Sequence, residues 1–297
     1  MKRPFSYKLN IFLFLLPALI LFIGVLIAPI ILSGYYSLTE WNCLKTPVFI
    51  GLANYRELFT SRSINIMRAL KNAMLLALLS TCIQLPFALW LALKLSKHVK
   101  GERAYLSIYF MPVLISTVVI GQLWLKIYNP DYGVLNLCLR GMGLDNLAQI
   151  WLGNKKTALW AAFVPILWQY VGYHMLLMYA GIKGVPPELN EAAMLDGCGV
   201  WGTFFRVIVP LMKPAVATVG IYPFLQCWNE LMFANVFINS DKWRTLPVGV
   251  QSLSGQYTTD WGPIGAALSI ATIPTLLFYI FMSKKIQDSF IAGAVNG

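Results

Sequence analysis

Acidic side chains are scarce in this sequence: 12 Asp and Glu stand against 23 Lys and Arg in 297 residues, and charges of both signs make up only 12%. Soluble domains carry about a quarter charged residues, so an ordinary water-facing surface is excluded. Cysteine is equally sparse. The five thiols, Cys43, Cys82, Cys138, Cys198 and Cys227, show no C-x-x-C spacing, which removes the zinc-ribbon and redox-motif readings. Cys82 and Cys227 fall in apolar tracts, where cysteine acts as a small hydrophobe. Cys43 and Cys138, in loops expected outside, are the pair weighed for a bridge, with free thiols the favoured alternative. The two histidines, His98 and His174, are distant in sequence, and H-E-x-x-H, G-x-S-x-G, paired carboxylates and G-x-x-x-x-G-K-[ST] are all missing. These absences argue against an intramembrane enzyme and against a nucleotide site in this chain. Soluble domains, internal repeats and low-complexity tracts are missing as well.

What is present is apolar. Hydrophobic residues make up 58% and the mean hydropathy is +0.65. A helix needs about 20 apolar residues to cross the hydrocarbon core, and six tracts approach or exceed that length: 11–38, 72–93, 104–125, 157–182, 214–240 and 261–283, with Glu230 interrupting the fifth. The expected fold is all-α, a polytopic membrane protein of six transmembrane helices forming a single domain over 1–297. Lys2, Arg3 and Lys8 precede the first tract as in a signal peptide, but the tract exceeds the h-region of about 7–15 residues and no A-x-A-like cleavage site follows. A retained first span is expected.

The net charge of +11 invites nucleic acid as a partner. The charges sit in loops between tracts, however, and the positive-inside rule accounts for them. Lys94, Lys97, Lys100 and Arg103 crowd the loop between the second and third tracts, which is therefore expected to be cytoplasmic. Lys284 and Lys285 fall on the same side, and both termini are expected inside. The opposite loops also carry Arg56, Arg62, Arg68, Lys155 and Lys156, spread over longer segments. Trp41 and Tyr55 read as interfacial belt residues, and Asn129, Pro130, Asp131 and Gly133 as an ordered external turn.

A polar stretch bracketed by Lys183 and Pro214 breaks the apolar pattern. Lys183 and Gly184 suit a helix end, and Pro186 and Pro187 the first turn of another. Glu188 and Glu191 sit near that new N-terminus, where negative charge is favoured. Leu189, Ala192, Ala193 and Leu195 supply small or apolar contacts, and Gly197 stands where a left-handed residue is needed. Val200, Trp201, Phe204, Phe205 and Ile208 recur at helical spacing, as in a helix lying in the membrane interface. The reading is a docking element for a partner protein; the alternative is a helical hairpin with no partner.

This stretch resembles the signature loop of permease subunits of binding-protein-dependent ABC importers. Glu191, Ala192, Ala193, Gly197 and Pro210 match Glu-Ala-Ala, three residues, Gly, nine residues, then Ile-x-Leu-Pro, with Val207 and Val209 in place of the usual Ile and Leu. The first tract, NPDYGVLN, WNELMFA, RTLPVG and the terminal AGAVNG look like the carbohydrate-uptake (maltose-type) branch, and the resemblance covers nearly the whole chain. It implies a type I ABC importer permease architecture, with the loop over 184–210 as a coupling element made by Glu188, Glu191, Ala192, Ala193, Asp196 and Gly197. Glu191 would meet a basic residue of the ATPase, and the two alanines would permit close approach. It also implies a second permease subunit, two cytoplasmic ATPase subunits that bind the ATP and Mg, an extracytoplasmic solute-binding protein, a sugar substrate and a place in the bacterial inner or plasma membrane. No cofactor is expected in this chain. The tail over 284–297 is similar to tails that insert between paired ATPases.

Ionisable groups within spans are expensive and usually face a cavity or a partner. Trp168, Gln169, Tyr170, Tyr173 and His174 lie close together on the fourth tract, and Gln226, Trp228, Asn229 and Glu230 on the fifth. Aromatic faces beside amides and a carboxylate suit sugars, which stack their CH faces and share hydroxyl hydrogen bonds. The competing reading is helix packing, with His174 a satisfied bundle histidine. Two other functions are weighed: the same importer class acting on a glycerol phosphodiester or phosphate ester, and an ion-coupled secondary transporter. The second expects several mid-membrane carboxylates and inverted repeats, where this sequence has Glu230 alone and no visible repeat.

Overall fold

The computed structural model describes residues 5–60, 66–97, 99–154, 156–211, 213–238, 244–254 and 259–295. Lys2, Arg3, Arg62, His98, Lys155, Asn296 and Gly297, named above, lie outside these. The chain is helical almost throughout and divides into two compact units, 1–66 with 250–274, and 67–249 with 275–297.

In the first unit, helix α1 (Leu9–Tyr36) leads into a two-stranded antiparallel hairpin, β1 (Thr39–Glu40) and β2 (Val48–Phe49), and then helix α2 (Ala53–Thr60). Trp41 and Tyr55 both tie to the end of α1. Trp41 stacks on Tyr36 at 4.3 Å, and Tyr55 Oη donates to Ser37 Oγ at 2.9 Å. Asn54 Nδ2 donates to the carbonyls of Ser37 and Thr39, each at 2.9 Å, so the end of α1 is fixed to α2.

The second unit begins with α3 (Ile66–Leu95), whose first residue belongs to the first unit. It continues with α4 (Glu102–Leu114) and α5 (Thr117–Ile127), α6 (Val134–Gly141) and α7 (Ala158–Lys183). Then come α8 (Pro187–Leu195), α9 (200–211), α10 (Lys213–Trp228), α11 (Met232–Phe237) and α12 (Leu246–Gln251). The last helix, α13 (Trp261–Val295), has 35 residues and contributes to both units. At 1.5 Å per residue it is about 52 Å long, well beyond the ~30 Å hydrocarbon core. The tail expected as a separate segment is thus the continuation of the last helix as far as Val295. All five cysteines are free.

Among the described residues, three helices contain a π turn: Phe22–Ile27, Ser80–Gln84 and Phe204–Ile208. Each ends two residues before a proline, Pro29, Pro86 or Pro210. A proline lacks its N–H and its ring collides with the carbonyl four residues back; a wider turn there relieves the collision while the helix continues.

Among the described residues, four helices are long and apolar enough to cross a membrane: α1, α3, α7 and the Trp261–Phe281 part of α13. The helix expected over 104–125 is broken: α4 and α5 meet at 96°. Pro112 lies in a tight 3-10 turn, Met111–Leu114, and Ile115 and Ser116 are extended. The fifth expected span, 214–240, is also discontinuous, because α10 ends at Trp228 and α11 begins at Met232. The core of the unit is built from α3, α5, α7 and α11 around Leu76, Ile120, Phe163, Ile166, Phe233 and Phe237. A second apolar cluster joins α3 to the later part of α7 through Ala88, Leu91, Val171 and Met175.

Candidate functional site

Helix α8 is closed by backbone chemistry that its sequence dictates. Glu188 lies in the first turn, where its charge opposes the helix dipole. At the other end Asp196 N–H donates to Ala192 O and Cys198 N–H to Ala193 O, both at 2.9 Å. The second bond closes six residues around Gly197, whose φ is +79°. That is a Schellman stop with glycine at the left-handed position. Ala193 and Phe204 are buried, and α8 packs on α9. Glu188, Leu189, Glu191, Ala192, Leu195 and Asp196 are exposed. Leu195 is 89% exposed, so this short helix offers a small apolar surface edged by carboxylates which the chain itself does not cover.

The other residues singled out in the sequence gather around α7 and α10, in the second unit. A cavity of about 560 Å³ is lined by Tyr170, Tyr222, Gln226, Asn229 and Glu230, with Thr117, Leu225, Leu231 and Met232 completing the wall. Glu230 is buried, and its Oε1 accepts the Phe233 N–H at 2.8 Å while its carbonyl accepts from Thr245 Oγ1 at 2.9 Å. The acid thereby stabilises the break between α10 and α11. Asn229 Nδ2 donates to Leu225 O at 2.9 Å.

Tyr170, Gln226, Asn229 and Glu230 are therefore brought together. Trp168, Gln169, Tyr173 and Trp228 are not among the lining residues. Gln169 is 2% exposed and its Nε2 donates to Ile115 O at 3.2 Å and to Thr117 Oγ1 at 3.4 Å, which makes it a brace for the α4–α5 break. Trp228 is buried and stacks on Phe224, and Trp168 meets Trp124 edge-on. Tyr173 packs on Tyr222 at 5.2 Å, supporting a wall residue from behind. His174 is fully buried between those tyrosines, with no hydrogen-bond partner for either ring nitrogen among the described residues.

Sequence reasoning missed Thr117, Tyr222, Leu225, Leu231 and Met232. A signal existed for two of them: 222, 225 and 226 on α10, and 229 in the turn that follows it, recur at helical spacing. An aromatic and two amides on one stripe of an otherwise apolar helix form a surface that can stack on a ring and exchange hydrogen bonds with hydroxyl groups.

Residues 84–290 match the family described as "Binding-protein-dependent transport system inner membrane component". A probable ABC transporter permease protein of Pyrococcus horikoshii is 36% identical over 210 residues, spanning 70% of this chain and 71% of that protein. The diacetylchitobiose uptake system permease protein NgcF of Streptomyces coelicolor is 31% identical over 231 residues, 74% of this chain and 65% of that protein. Among solved structures, a chain in the crystal structure of a bacterial alginate ABC transporter, in complex with its alginate pentasaccharide-bound periplasmic protein, shares the fold. Its TM-score is 0.79 at 22% identity, with 93% of each chain covered.

Proposed function

The chain belongs to the family of binding-protein-dependent transport system inner membrane components, and on that premise we propose that it imports a carbohydrate, an oligosaccharide, as one half of an ATP-driven translocation pathway. It is a membrane transport subunit and not an enzyme. The observation that carries the substrate class is the cavity wall, where Tyr170, Tyr222, Gln226 and Asn229 offer aromatic faces and amides together. Relatives named for uptake of diacetylchitobiose and of xylose or arabinose support the same class. Helix α8, held rigid by its Gly197 stop with Glu191, Ala192 and Leu195 exposed, is the surface on which a cytoplasmic ATPase seats. A second permease completes the cavity, two ATPase subunits supply the energy, and an extracytoplasmic binding protein delivers the sugar. The basic loop before α4 and the end of α13 then face the cytoplasm, and the membrane is the inner or plasma membrane of the cell.

The test is reconstitution of the complete complex in vesicles with ATP on the ATPase side and labelled di- to pentasaccharides with the binding protein on the other. Accumulation should require both ATP and the binding protein. Accumulation driven by an ion gradient without ATP would replace this reading with the secondary-transporter one, and preferential uptake of a phosphate ester would move the substrate class. Within the same assay Tyr222→Ala and Gln226→Ala should each lower the uptake rate about tenfold, the effect of losing roughly 1.4 kcal/mol of ring contact or hydrogen bonding to the sugar. Uptake at the original rate in both variants would remove this wall from the path.

A further inference from the structure

Helix α7 ends one residue before the turn that carries α8, and its last two turns hold an unexplained group. Tyr179 and Lys183, four residues apart and so on one helix face, both reach Glu102, the first residue of α4. The Tyr179 hydroxyl donates to Glu102 Oε1, and Lys183 Nζ lies 3.8 Å from the same oxygen and 5.5 Å from the Tyr179 ring centroid. An acid at the start of a helix is favoured by its dipole, and a base at the end of another likewise. Neither preference requires the two side chains to meet, nor a tyrosine to join them.

The position of this group relative to the other ties between α7 and the broken span gives it meaning. Further along, a side chain at Gly172 would overlap the carbonyl of Tyr109, so the backbones of α7 and α4 touch there. Beyond that, Gln169 holds Ile115 O and Thr117 Oγ1 across the break, and Thr117 is part of the cavity wall. Contacts thus run from the root of α8, through Glu102 and along α4, to the wall of the cavity.

We propose that Glu102 is a positioning residue that transmits movement of α8 to the α4–α5 broken span through its bonds to Tyr179 and Lys183. The group is the tie in this series nearest α8 in sequence, and it consists of removable side-chain interactions rather than backbone contact. Displacement of α8 by a partner pulls on the end of α7; with Glu102 engaged, α4 follows, and Thr117 moves with it. Without Glu102, α7 shifts against α4 at that end and the displacement is partly lost before it reaches the cavity. The inference rests on the reading of α8 as the ATPase-binding element.

The test uses the complete reconstituted complex and reads solute moved per ATP hydrolysed, alongside the amount of ATPase that copurifies. Glu102→Gln and Tyr179→Phe should each lower that ratio about tenfold, within the range usual for coupling between sites, while copurification is retained. The exchange Glu102→Lys with Lys183→Glu should recover part of the ratio, which a purely structural loss would not. Tyr179→Phe removes only a hydroxyl, so it remains informative even if Glu102→Gln impairs insertion. A wild-type ratio in Tyr179→Phe and Glu102→Gln would overturn the assignment while leaving the importer reading intact. Failure of the wild-type complex to move solute with ATP would overturn the importer reading itself.

Discussion

Valine at position 197 is expected to separate ATP hydrolysis from uptake, with solute transport in reconstituted vesicles reduced at least about tenfold and ATP turnover retained. Gly197 adopts φ +79°, a left-handed conformation in which a β-branched residue costs roughly 1–3 kcal/mol. Among the described residues nothing lies within 4 Å of where its Cβ would be, so the cost is conformational. That separates the prediction from an ordinary packing defect. To escape the strain the chain must leave the left-handed region, and the Cys198 to Ala193 bond that closes α8 opens with it. The end of α8 then frays, and Leu195, Ala192 and Glu191 lose their fixed placement relative to α9. Asparagine tolerates the left-handed region better than other side-chain-bearing residues, so Gly197→Asn should keep most of the uptake that Gly197→Val loses. Equal uptake in the wild type and the valine variant would mean that α8 does not need its stop to couple.

Helix α8 and its end were legible in the sequence because their causes are local. Pro187 can start a helix, Glu188 favours its first turn, and Gly197 ends it, whatever the rest of the chain does. The break between α4 and α5 was not legible. A hydropathy window over 104–125 averages across it, and the only cue, Pro112, is ambiguous in this chain. Pro17, Pro165, Pro223 and Pro274 all lie inside continuous helices. What distinguishes Pro112 is the extended backbone of Ile115 and Ser116 and the Gln169 amide that satisfies the Ile115 carbonyl; that amide is 54 residues away.

The cavity was legible in part for a similar reason. Tyr170, Gln226, Asn229 and Glu230 stand out as polar or aromatic groups within spans, and the structure gathers them. Gln169 and Trp228 stand out equally well, yet they pack inward. Which way such a residue points depends on the rotation of its helix. Helix α7 is buried on several sides, with 13 of its 26 residues inside the fold, so no single polar stripe in its sequence reveals that rotation. Helix α10 does carry such a stripe, and Tyr222 could have been read from it.

The same dependence on tertiary contact makes Gly172→Leu the most damaging single substitution expected in the second unit. A Cβ at this position already overlaps the Tyr109 carbonyl and approaches the Phe110 nitrogen at 2.9 Å. Both are backbone atoms and cannot rotate away. Small residues let membrane helices approach this closely, and α7 and α4 can accept a larger side chain only by moving apart. That movement would loosen the Val171 and Met175 packing against α3, lengthen the Gln169 bonds at the break and withdraw Tyr179 from Glu102. Overpacking in a close-packed core costs about 1–3 kcal/mol, and a leucine against fixed backbone belongs at or above the upper end. The expected result is a marked fall in the thermal unfolding temperature of the purified complex, or loss of the assembled complex. Gly220→Ala supplies the contrast. Among the described residues nothing lies within 4 Å of where a Cβ at that position would stand, and alanine is favoured over glycine within a helix by up to about 1 kcal/mol, so stability should be unchanged or slightly raised. If Gly172→Leu and Gly220→Ala unfold at the same temperature, α4 and α7 do not touch through their backbones, and the mechanical link drawn from Glu102 to Thr117 loses its middle contact.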